Sequence, residues 1–240
     1  MLNKLLLAFL IFPAFLLRAQ TIDTLNYIMG KFDPSTQVLF KKVPVQYASR
    51  KQMYLRTECI DAFIKMYNDA RQDGVSLKII SATRNFYDQK MIWENKWTGK
   101  TLIESGINLA KSVPEPIQRA KRILEYSSMP GSSRHHWGTD LDLNSLENKY
   151  FDTPSGKKIY QWLIKNASAY GFCQPYTAGR KTGYKEERWH WSYIPIAIQL
   201  TDYCSHNFNN KNIAGFLGSE TAVEMDVLTN YILAVNPACR

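Results

Sequence analysis

Three of the four histidines in this 240-residue chain fall into two short segments, and whatever fold the chain adopts has to answer to them. The first segment runs from Ser133 through Arg134, His135, His136, Gly138 and Asp140 to Asp142; the second is Glu187, Arg188, Trp189 and His190. A catalytic zinc takes three protein ligands from His and Asp or Glu and keeps a fourth position open, so two histidines and one aspartate from these segments meet its needs. Asp140, Asp142 and Asn144 alternate with Leu141 and Leu143, and a strand there turns all three polar groups to one face. Either aspartate can then join His135. Glu187 stands three residues before His190, a spacing that sets a carboxylate beside a metal without making it a ligand. Such a group can take a proton from an attacking water. A chain of this length buries a core without metal staples, so a metal here is functional rather than structural.

The pattern around these segments predicts separate helices and hairpin-spaced strands, hence an α+β fold. Ile60, Phe63, Ile64 and Tyr67 recur at helical spacing between Thr57 and Gly74. Val75, Leu77 and Ile79 then alternate as a strand and deliver Arg84 to a strand end, where Phe86–Trp97 continues as helix. Ile117–Tyr126 reads as helix and is broken by the turn residues from Met129 to Ser133. Thr153 followed by Pro154 is a cap and first-turn pair for a helix with Ile159, Trp162, Leu163 and Tyr170 inward, ending at Gly171. Phe172–Pro175 and Glu187–Ile194 read as two strands joined by a Gly/Lys-rich turn, and the residues after Pro195 as helical, ending in Val223–Leu233.

Residues 1–19 have a basic start, an unbroken apolar run of 13 residues from Leu5 to Leu17, and a small residue, Ala19, at a cleavage point. That is the form of a secretory signal peptide, and the run is short of the ~18–20 residues that cross a bilayer. The expected domain plan is thus a signal peptide over 1–19, a main domain carrying both histidine segments over 20–200 and a helical C-terminal extension over 201–240. Removing 1–19 lowers the net charge by two, from +9 to +7. The remaining Lys and Arg are dispersed, which disfavours a nucleic-acid partner and leaves a solvated basic surface or attraction to an anionic envelope polymer. Cys59, Cys173, Cys204 and Cys239 contain no C-x-x-C pair. Export makes disulfides possible in any of three pairings, with Cys204–Cys239 the first choice because it fastens the tail.

The residues that carry this chemistry resemble the zinc D-alanyl-D-alanine carboxypeptidases of the VanY-like type, whose pattern is S-x-H-x-x-G-x-A-x-D followed later by E-x-W-H. Ser133, His135, Gly138 and Asp142 match the first part, and Glu187, Trp189 and His190 the second. Ser81, Arg84 and Gln89 match the S-G-Y-R-S-x-x-x-Q segment. The resemblance implies the Hedgehog/DD-peptidase fold, a small antiparallel sheet carrying the site and flanked by helices. It implies Zn2+ held by His135, Asp142 and His190, Glu187 as general base, and Arg84 on the scissile carbonyl or terminal carboxylate. Ser133, Gln89 and Trp189 would contact substrate. The implied substrate is the stem peptide of peptidoglycan, reached by an exported protein that is periplasmic or extracellular and not held in a membrane once its signal is cut. Removal of a C-terminal D-alanine, an L,D-carboxypeptidase reaction, endopeptidase cleavage, and a zinc-stabilised cell-wall binding module without turnover remain alternatives. One departure stands out. Asp140 occupies the family's alanine position, as a rival ligand or as a group orienting one.

Overall fold

The computed structural model describes residues 23–103 and 106–240, so the signal-like segment 1–19 lies outside the described residues. Two sheets and eight α-helices are described, an α+β arrangement. A hairpin pairs β1 (Phe40–Lys42) with β2 (Tyr54–Arg56). The larger sheet has the order β3-β4-β6-β5, from β3 (Ile79–Ser81), β4 (Asp140–Leu143), β6 (His190–Tyr193) and β5 (Phe172–Cys173), all antiparallel. Its pleat explains how the site forms. Leu141, Leu143 and Trp191 point to one face and join an apolar cluster with Phe63, Leu77 and Leu163, while Asp140, Asp142, His190 and Ser192 alternate to the other. Register pairs Asp142 with His190 and Asp140 with Ser192.

Local chemistry sets the helices. α2 (Thr57–Gln72) buries Ile60, Phe63 and Met66 against that cluster. α3 (Phe86–Trp97) begins with a reciprocal capping box between Asn85 and Asp88, which starts the helix directly after Arg84. α6 (Pro154–Asn166) is capped by Thr153, whose hydroxyl accepts from Gly156 N–H, with Pro154 in the first turn. α5 (Pro116–Ile123), α7 (Ile194–Asn207) and the short α8 (Thr221–Glu224) supply a second apolar cluster with Trp93, Trp97, Trp137, Phe208, Phe216 and Ile232. Residues 204–239 therefore belong to the same core as α3. The remaining helices, α1 (Thr24–Ile28) and α4 (Leu109–Ser112), are short.

Several elements are shorter than the periodicity predicts. Of the expected 75–80 strand only Ile79 and Ile80 fall in β3, which runs on to Ser81. Asn144 takes over the earlier residues, its side chain accepting from Lys78 N–H and donating to the Ser76 carbonyl. To do so Asn144 adopts a left-handed backbone (φ 64), so it leaves the face shared by Asp140 and Asp142. Glu187 and Trp189 likewise precede β6 in a turn instead of extending the strand. The expected Cys204–Cys239 bridge is also corrected. Cys173 on β5 pairs with Cys239, their Cα atoms 5.6 Å apart, whereas Cys204 is a buried free thiol on α7, as is Cys59 on α2. The chain end folds back onto β5, so the bond fastens the tail to the sheet instead of closing the tail on itself.

Candidate active site

The first histidine segment becomes a 3-10 turn, Arg134–Trp137, leading into β4. Gly138 ends it with φ 74, and a Cβ there would come within 2.4 Å of the Phe40 ring, so glycine is required both by conformation and by space. The turn aims His135 across the sheet at the Asp142–His190 pair. His135 Nε2 lies 3.3 Å from Asp142 Oδ1, and His190 Nδ1 lies 3.5 Å from the same oxygen. The three residues can each offer one donor atom within 4.8 Å of the others, and all three are buried.

These distances suit a tetrahedral zinc. Bonds of about 2.0–2.1 Å to nitrogen and oxygen imply edges of roughly 3.3–3.4 Å between ligand atoms. Asp142 Oδ1 is buried without a hydrogen-bond partner, an acceptor that a cation would satisfy. The far nitrogen of each histidine is already engaged, His135 Nδ1 with the Ala82 carbonyl at 2.9 Å and His190 Nε2 with Asp140 Oδ2 at 2.8 Å. Electrostatics agree with the donor set. Burial disfavours the Asp142 carboxylate, but His135, His190 and Arg84 overcome it and hold the pKa down to about 2. Burial lowers His190, yet hydrogen bonds to Asp140 and Glu187 outweigh it and carry the imidazole up to about 9. The carboxylates that hold a proton there can hold a cation instead.

Glu187 is buried, with Oε2 3.0 Å from His190 Nδ1. Its backbone is fixed on both sides, the N–H donating to the Tyr176 carbonyl and the carbonyl accepting from Gln174 Nε2. Burial raises its pKa above the ordinary carboxylate range against the lowering effect of His190. Arg84 approaches from the end of β3, its Nη1 donating to Ser81 Oγ at 2.9 Å and lying 3.7 Å from Asp142 Oδ2. A cavity of about 220 Å³ opens over these groups, lined by Arg84, Gln89, His135, Asp142, Glu187, Trp189 and His190 among others. It shares Lys96, Tyr126, Leu146 and Trp189 with an adjoining groove of about 610 Å³.

The same elements carry the family signature. A family model described as D-alanyl-D-alanine carboxypeptidase, VanY, matches residues 52–196, which is more than half the chain. The chain belongs to this family. It is 30% identical over 147 residues to the D-alanyl-D-alanine carboxypeptidase of Enterococcus faecium, covering 60% of this chain and 39% of that protein. It is 28% identical over 174 residues to YodJ of Bacillus subtilis (strain 168), covering 69% of this chain and 55% of that protein. The chain thus spans about half or less of these relatives. Among solved structures it resembles the LdcB LD-carboxypeptidase, with a TM-score of 0.52, 22% identity, and coverage of 72% of this chain and 76% of that one. That likeness is one of fold.

Of the expected site residues, His135, Asp142, His190, Glu187 and Arg84 meet in one place, with Gln89 and Trp189 on the cavity wall. Gln89 donates to the Ser128 carbonyl and leaves its Oε1 buried without a partner. Ser133 is placed differently. It is buried, its hydroxyl capping the turn by accepting from His135 N–H, and it is absent from the cavity lining. His136 does not face the cavity either; its Nδ1 bonds the Arg84 carbonyl at 2.6 Å and its Nε2 accepts from Gly131 N–H. Sequence reasoning did not reach Tyr176 and Tyr184, which line the cavity from the β5–β6 loop. Tyr176 sets its ring edge against His190, centroids 4.7 Å apart. No spacing rule reaches across such a loop.

Proposed function

We propose that this chain is a zinc-dependent D,D-carboxypeptidase that trims the C-terminal D-alanine from peptidoglycan stem peptides. His135, Asp142 and His190 hold the metal, Glu187 is the general base, and Arg84, Gln89 and Trp189 bind substrate. The observation that carries the reading is the set of three buried donors within 4.8 Å of one another, both histidines near a tetrahedral edge from Asp142 Oδ1, with Glu187 and Arg84 on the same cavity. Zinc at that position would supply Lewis acidity, polarising a carbonyl and acidifying a water. Glu187 takes the proton from the attacking water and returns it to the leaving amine as the C–N bond breaks. Its raised pKa suits both transfers, since a base poised nearer neutrality also gives its proton up. Arg84 grips the terminal carboxylate of the peptide, a task that suits a planar fork which stays charged. Burial of the cluster keeps bulk water from screening these charges.

Substrate of this kind lies outside the cytoplasm, and the signal-like segment 1–19 supports export to it. Among the described residues no helix is long and apolar enough to cross a membrane. Peptide mapping of the chain from its native host should place the mature N-terminus near Gln20; an intact Met1 would defeat the export reading.

Mass spectrometry of stem pentapeptide and tetrapeptide after incubation tests the activity. Loss of one D-alanine from the pentapeptide is expected. Cleavage of the tetrapeptide alone would reassign the enzyme as an L,D-carboxypeptidase, and an internal cut as an endopeptidase. In the same assay Glu187→Gln should retain zinc while kcat falls roughly 10²–10⁴-fold. Wild-type turnover in that variant would remove Glu187 from the mechanism, and no turnover by the native protein would favour a binding module.

A further inference from the structure

Where the family pattern has alanine, this chain has Asp140, and its surroundings define a role for it. Asp140 is fully buried and both carboxylate oxygens are saturated. Oδ1 accepts from Thr139 Oγ1 and from Ser192 Oγ, each at 2.7 Å. Oδ2 accepts from Arg134 Nε at 3.1 Å and faces His190 Nε2 at 2.8 Å. A carboxylate has about four lone-pair sites. All are used, which leaves no oxygen for a cation and removes Asp140 as a rival to Asp142.

Arg134 is the counter-charge, 1% exposed and engaged at every nitrogen. Besides Nε on Asp140, Nη1 donates to Thr201 Oγ1 of α7 at 2.9 Å and Nη2 to Ser192 Oγ at 2.7 Å, and the guanidinium lies over the Trp137 ring at 4.6 Å. The carboxylate is therefore anchored to β6, to α7 and to the turn that carries His135. A neutral imidazole has one N–H and one lone pair. Nδ1 faces Glu187 Oε2 at 3.0 Å and Asp142 Oδ1 at 3.5 Å, so it is the nitrogen on the metal side, and a neutral ring that binds a cation there keeps its one proton at Nε2, on the fixed anion Asp140.

We infer that Asp140, held by Arg134, is a positioning residue that fixes the tautomer and ring angle of His190 so that Nδ1 is presented to the metal. The inference rests on the zinc reading of His135, Asp142 and His190. A carboxylate behind a ligating histidine sets ring orientation and raises ligand basicity, and losing one typically weakens metal binding. The pair is more than a buried salt bridge, because its fourth bond ends on a ligand.

The test is a zinc titration of the metal-free full chain against a chromophoric chelator. Three proteins are compared: wild type, Asp140→Asn, and the double variant Asp140→Ala with Arg134→Met, which removes both charges together so that neither is stranded. Wild type should bind one equivalent. Both variants should bind it roughly 10- to 100-fold more weakly while the metal-free proteins still unfold cooperatively. In zinc-loaded wild type the His190 Nε2–H should give a slowly exchanging downfield proton resonance, lost in the double variant. If the double variant does not fold, Asp140→Asn and the resonance decide. A folded variant whose zinc affinity stays within about twofold of wild type overturns the inference alone, whereas a wild type that binds no zinc overturns the metal reading beneath it.

Discussion

Arg84 is held by its backbone as firmly as by its side chain. Its N–H donates to the His135 carbonyl and its carbonyl accepts from His136 Nδ1, so both members of the adjoining histidine pair set where the guanidinium stands. Arg84→Lys keeps the charge and loses the fork, and kcat/KM on stem peptide should fall about 10- to 100-fold, the scale of a charged hydrogen bond. An unchanged value would reduce Arg84 to a source of positive field. His136 works only as a neutral ring, donating through Nδ1 and accepting through Nε2. Burial holds its pKa down to about 3. Above its ordinary value of 6.5 this group contributes its full stability. Below 6.5 the unfolded chain takes a proton that the folded chain refuses, so stability falls as pH drops toward 3, by up to ~1.4 kcal/mol per unit. Urea unfolding at pH 7.5 and pH 5 should show that loss, and His136→Gln should lack this share of the slope.

The β5–β6 loop carries Glu187 at its far end and is strapped down by the chain terminus. Cys173 at its start bonds Cys239, Asn236 N–H donates to the Pro175 carbonyl at 2.8 Å, and Arg180 Nη1 donates to the Ala234 carbonyl at 2.6 Å. Tyr184 packs on Tyr231, centroids 5.3 Å apart, so the strap reaches the cavity wall. Disulfide mapping of the oxidised protein should find Cys173–Cys239. Cys204 and Cys59 should resist alkylation at pH 8 in the native state, because burial pushes the Cys204 thiol up to about 12 and Cys59 well above its usual value. With its cysteines 66 positions apart in sequence, loss of the bond in Cys239→Ser should cost about 4 kcal/mol in the chain-entropy model, read as a lower denaturation midpoint. A midpoint unchanged under oxidising conditions would mean that the bond does not form.

At the scale of the whole molecule the tail is part of the core. Phe208, Ile213, Phe216 and Ile232 are buried in one cluster with Trp93, Trp97 and Trp137. At ~1.5–3 kcal/mol for each large apolar side chain buried, these four alone rival the whole net stability of a domain, ~5–15 kcal/mol. Thr201, one of the anchors of Arg134, lies at the same junction. A chain ending at residue 200 should lose cooperative unfolding and zinc binding together, as followed by circular dichroism and metal analysis. A truncated chain that unfolds cooperatively and still cleaves stem peptide would restore the reading of 201–240 as an appended extension.

Much of this molecule was legible in its sequence because it rests on short-range rules. Phe86–Trp97 begins after a local capping box, Thr153 and Pro154 open α6, and Leu141 and Leu143 turn inward because successive side chains of a strand alternate. The buried cluster of His135, Asp142 and His190 was legible through a motif whose spacing presupposes the sheet that unites them. Other features depend on which distant segments meet, and no local pattern encodes that. Cys239 reached Cys173 because the terminus folds onto β5, and Asn144 left its strand because Ser76 and Lys78 offered it backbone partners. Whether Asp140 ligates or orients was undecidable from its alternation with Leu141. Only the tertiary structure, by surrounding its four lone pairs with Thr139, Ser192, Arg134 and His190, left it nothing to give a metal.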